Sequence, residues 1–125
     1  MCACLVGSAG CNGGVVDRHA LAKDAEALDS IACEGALLAH DAAKARTTDV
    51  FVREHASALS VQAANYADAL GRRKTAAEIR GKVRRKAKEA AALAATLERL
   101  RDHPGDRTLA ASIEGGLTRL VGGCG

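Results

Sequence analysis

The chain has 125 residues, of which 48% are apolar and 26% charged, and its net charge is +3. That length holds one domain, because two halves would each be too small to bury a sufficient core. The apolar residues are nearly all Ala, Leu and Val, with one Phe, one Tyr and no Trp, which disfavours a sheet, and no apolar run approaches the roughly 18 residues of a membrane-spanning helix.

Residues 1–14, MCACLVGSAGCNGG, are small, glycine-rich and uncharged. Charge begins at Asp17, placed to oppose the positive end of a first helix running from there to about Arg46. Leu21, Leu28, Ala32, Gly35, Ala39 and Ala42 share one face at helical spacing, with Ile31 and Leu38 beside them and Lys23, Glu26, Asp41 and Lys44 opposite. Gly35 costs such a helix about 1 kcal/mol relative to Ala, so a neighbour is expected to approach closely there. Thr48 or Asp49 can cap a second helix, whose inner face is expected to carry Phe51, Val52, His55, Leu59, Gln62, Ala63, Tyr66 and Leu70, with Ser57 and Ser60 outside and Gly71 at its end. A third helix is expected from Thr75 to Asp102, with a stripe of Ile79, Val83, Ala87, Ala90, Leu93, Leu97 and Leu100. His103-Pro104-Gly105-Asp106 stops it, and Asp106 caps a short fourth helix with Leu109, Ile113, Leu117 and Leu120 inside. The pattern is all-α: an antiparallel up-and-down bundle of three long helices plus a shorter fourth.

Leu5-Val6-Gly7-Ser8-Ala9-Gly10-Cys11 resembles the lipobox of bacterial lipoproteins, in which small residues precede a cysteine that becomes acylated. Ala9-Gly10-Cys11 matches its last three positions, and the following Asn-Gly-Gly resembles the loose tether after the anchor. Ser8 stands where Leu or Val is more usual, and no Lys or Arg precedes the apolar stretch, which leads to the expectation that the natural start lies upstream of Met1. The resemblance implies lipidation at Cys11, a signal-like N-terminal segment over residues 1–16 and an exported helical domain over 17–125. Once the signal cysteines and Cys11 are set aside, Cys33 and Cys124 remain as a pair that an oxidising compartment would join. Cys2, Cys4 and Cys11 lack the CxxC spacing and the fourth ligand of a metal site.

Within the helices, His55 lies on an apolar face with Gln62 and Tyr66 near it. It reads as a histidine hydrogen-bonded to one of these or to a carboxylate such as Glu34, or else as a ligand for a metal or haem. Glu-x-x-His pairs and a Cys-x-x-Cys-His run are both missing. His40 comes level with His55 across an antiparallel hairpin but turns to the polar side, and His19 and His103 read as exposed. No residue set suggests a nucleophile or a phosphate-cradling glycine loop, so catalysis and resident cofactors are not expected.

Charge is the strongest local signal. Residues 72–89 carry nine basic side chains against Glu78 and Glu89, +7 in a chain of net +3, so the remainder holds −4. Arg72, Arg73, Lys74, Arg80, Arg84, Arg85 and Lys88 form the candidate site for an anionic surface. Arg80, Arg84 and Lys88 stack like charges at a spacing of four, against the interest of the helix. The leading expectation is a lipoprotein of the cell envelope, anchored outside the cytoplasm, whose bundle is an interaction or scaffold module for an envelope partner beside an anionic membrane. One alternative is a cytoplasmic protein binding nucleic acid through residues 72–88, weakened by the lack of stacking aromatics there. The other is a metal- or haem-binding bundle around His55.

Overall fold

The computed structural model describes residues 15–124. In them α1 (Arg18–Ala43), α2 (Asp49–Arg72), α3 (Arg80–Asp102) and α4 (Arg107–Val121) follow in order, with one 3₁₀ turn at Ala77–Ile79. The fold is the expected all-α bundle, in which α2 lies mainly along α3, and α1 along α4.

Polar side chains start three of the four helices. Asp17 accepts from the N–H of Ala20 at 2.8 Å, Thr48 from Phe51 at 3.1 Å and Asp106 from Leu109 at 2.9 Å, satisfying amides that lack an intrahelical partner. The ends are less regular. α1 stops at Ala43, short of Arg46, in a Schellman-type turn: the N–H of Arg46 donates to Asp41 and that of Ala45 to Ala42. Ala45 takes the left-handed angle this turn requires, φ 55°. Gly71 does not end α2, which continues through Arg72.

The third helix was expected from Thr75, but the chain stays extended there because its backbone is used elsewhere. The N–H of Val16 donates to the carbonyl of Lys74 at 2.8 Å, and the N–H of Ala76 donates to that of Val16 at 3.2 Å, a lone parallel bridge between Val16 and Thr75. Val16 belongs to the bundle and not to the N-terminal segment over residues 1–16, because it is completely buried in the core. It precedes the cap Asp17 and stands five residues before Leu21, the spacing of a hydrophobic staple.

The core is contributed by all four helices. Val16, Val52, Leu59, Ile79, Leu97 and Leu100 are the largest fully buried side chains, each stabilising by about 1.5–3 kcal/mol relative to exposure. α2 is rotated from the expected face. Val52, Ala56, Leu59, Ser60, Ala63 and Leu70 are buried, whereas Phe51 is 52% exposed and Gln62 is on the surface. The buried face follows the small residues, which let α2 approach α3, and the Ser60 hydroxyl is satisfied by donating to the carbonyl of Ser57 at 2.8 Å. In α4, Ala110 is buried with Ile113 and Leu117, Leu109 is half-buried, and Leu120 is turned outward.

The close approach expected at Gly35 is made by side chains. A Cβ built there would lie 2.8 Å from Leu97 Cδ2 and 3.0 Å from Leu117 Cδ1, so glycine lets α3 and α4 both close on α1. At the same level the sulfurs of Cys33 and Cys124 lie at disulfide distance, their Cα atoms 5.5 Å apart. Gly122 and Gly123, with φ of 73° and 112°, turn the chain back after α4 to bring Cys124 there.

Helix length fixes what stays uncovered. α4 has 15 residues and α1 has 26, about 22 Å against 39 Å. α4 starts at the C-terminal end of α1, where Arg107 donates to the Ala43 carbonyl at 3.0 Å, and is finished by the level of Cys33. The N-terminal part of α1 and the start of α3 therefore have no fourth helix over them.

Candidate anionic-surface site

The end that α4 leaves open is the basic end. Three depressions there divide the expected site residues among them. Leu70, Gly71, Arg73, Lys74, Thr75, Arg80, Val83, Arg84 and Ala87 line a cleft of about 510 Å³ between α2 and α3. On the other flank of α3, Arg18, Lys82, Arg85, Lys86 and Glu89 rim a groove of about 430 Å³ whose apolar wall includes Leu21 and Ile79. Arg72 joins Arg73, Asp24 and Tyr66 in a third hollow between α1 and α2. Lys88 is exposed and borders none of these three.

Few of these charges are neutralised. Arg73 is half-buried and holds Asp24 of α1 at 2.9 Å, while its Nε donates to the Ala69 carbonyl at 3.4 Å. Lys86 pairs with Glu89 at 2.6 Å. Among the described residues, Arg72, Lys74, Arg80, Lys82, Arg84, Arg85 and Lys88 have no carboxylate within 4.0 Å. Arg18 belongs with them and was missed, although a cation in the first turn of a helix, against its dipole, is a signal in itself.

The histidines stand apart from this end. His55 lies at the rim of the buried face of α2, its side chain 39% exposed, with Nε2 3.6 Å from Glu34 Oε2 and its ring 5.4 Å from that of Phe51. Glu34 was one of the partners expected for it, but the central core position was not found, because α2 turns its alanines inward. His40 is half-buried because α4 lies over the side of α1 that looked polar, and its Nδ1 meets Glu114 Oε2 at 2.9 Å. His19 and His103 are exposed. Among the described residues no three His, Cys, Asp or Glu side chains converge as metal ligands.

At the opposite end Arg101 Nε donates to Asp102 at 2.8 Å, and that hydrogen bond holds the exposed Asp102 carboxyl below its ordinary value and raises Arg101. Cys11 lies outside the described residues, and none of the described helices is long and apolar enough to cross a membrane. The chain matches no protein-family model, no curated protein and no solved structure.

Proposed function

We propose that this is an acyl-anchored protein of the cell envelope whose bundle rests its basic end on anionic lipid and serves there as an interaction or scaffold module, not as an enzyme. The observation that carries the reading is where the chain joins the bundle. Val16 is held between Lys74 and Ala76, in the midst of the basic segment, and Cys11 is five residues before it. Five residues reach at most about 17 Å, so a lipid on Cys11 would keep the basic end against the bilayer.

Two signals act together. A lipid on Cys11 would hold the chain at the bilayer, and basic residues near an anionic surface add about 1 kcal/mol each. The cations that lack a carboxylate partner supply that second signal. The Cys33–Cys124 approach suits the same compartment, since such bonds persist in oxidising surroundings.

Metabolic labelling with an alkyne-bearing fatty acid tests the reading. The chain expressed from its natural reading frame should take up label and sediment with membranes, and Cys11→Ser should abolish both. A wild-type chain that takes no label and stays with the soluble fraction would refute it.

A further inference from the structure

We infer that the α2–α3 cleft is a discrete site for a lipid phosphomonoester headgroup, distinct from the diffuse attraction of the basic end to a charged surface. The inference deepens the membrane reading and rests on it for the source of the ligand. Of the three depressions at the basic end, this is the one with no carboxylate in its lining: Asp24 lies in the α1–α2 hollow and Glu89 in the α1–α3 groove. Lys74, Arg80 and Arg84 enter the cleft without a carboxylate partner among the described residues. Arg73 forms a fixed wall, tied to Asp24 and to the Ala69 carbonyl.

The cations stand where folding alone would not put them. Arg80 opens α3, a helix of 23 residues with no side-chain cap at its start, and a cation there opposes the helix dipole. Arg84 repeats the charge one turn on. A bound anion would relieve both. The site is also preorganised, because the backbone on either side of Thr75 is clamped by Val16 through Lys74 and Ala76.

The chemistry of the lining selects the ligand. A phosphomonoester carries between −1.5 and −2 charges near neutrality and three acceptor oxygens, which suits three cations, two of them forked guanidiniums. A phosphodiester offers one charge. Beneath the cations Leu70 and Val83 are almost fully buried and close the floor of the cleft, and Gly71 has nothing within 4 Å of where a Cβ would stand. The cleft therefore meets a charged headgroup at its cationic rim and leaves the acyl chains in the bilayer.

The test uses the full chain carrying Cys11→Ser, so that no anchor contributes. Binding is measured by flotation on phosphatidylcholine vesicles containing either phosphatidic acid or phosphatidylglycerol, adjusted to equal zeta potential. The expected result is about tenfold tighter binding to phosphatidic acid, reduced to within about twofold by R80Q/R84Q. Lys82→Gln with Arg85→Gln, in the other groove, should weaken both lipids alike and keep the preference. Circular dichroism establishes that these surface variants fold. Equal binding to the two lipids, or a preference that survives R80Q/R84Q, overturns the inference. So does complete displacement by soluble glycerol phosphate, which would mark a free-phosphate site, or tighter binding to single-stranded RNA than to either vesicle. Because the anchor is absent here, a failure leaves acylation at Cys11 untouched, and a native chain found unacylated leaves the lipid preference standing.

Discussion

Replacing Cys124 with serine should cost the bundle a large part of its stability. The two cysteines are 91 residues apart in sequence, and in the chain-entropy treatment a loop of that length restricts the unfolded ensemble by about 4.6 kcal/mol at 25 °C. Typical domains are stable by about 5–15 kcal/mol, so the serine variant should be folded but marginal, with its melting temperature lower by roughly 20 °C. Cys33→Ser and the double variant should lose the same amount, because all three remove one bond and the effects of partners in contact do not add. Urea denaturation of the oxidised wild type, the reduced wild type and the three variants supplies the comparison. If the double variant and the reduced wild type both unfold within about 1 kcal/mol of the oxidised chain, the tail does not close the loop and the reasoning fails.

Two further substitutions probe the packing. Gly35→Ala should destabilise by about 1–2 kcal/mol despite the better helix propensity of alanine, because its methyl would meet Leu97 and Leu117, both buried. Gly116→Ala, in the same fold but with nothing within 4 Å, should instead stabilise by about 0.5–1 kcal/mol; thermal melts of the two decide whether Gly35 is a contact or only a weak helix former. Ala45→Gly should stabilise by about 0.5–1 kcal/mol, since φ 55° strains alanine and suits glycine, and an unchanged or lowered denaturation midpoint would contradict the Schellman-type ending of α1.

Much of this fold was legible because local chemistry marks it. Asp17, Thr48 and Asp106 announce helix starts, Pro104 a stop, and the spacing of Leu93, Leu97 and Leu100 a buried stripe. What escaped notice depends on tertiary arrangement. Hydropathy weights Phe51 above Ala56 and Ser60, yet helix approach favours small side chains, so α2 turned its alanines to the core. The Val16–Thr75 bridge joins residues 59 apart in the chain through backbone groups, which no side-chain pattern reports beyond the staple spacing of Val16 and Leu21. The candidate site was legible as a list of charges but not as a place. Its division into an acid-free cleft and a partly neutralised groove follows from which side of α3 each residue faces and from α4 ending early. Arg18 joined it only through the packing of α1 on α3.

Acylation at Cys11 is decided by the intact mass of the protein made from its natural reading frame. The expected species begins at Cys11, heavier by its acyl modification and lighter by the two hydrogens of a Cys33–Cys124 bond. A chain retaining Met1 through Gly10, with no acyl mass and two free thiols at Cys33 and Cys124, would contradict it.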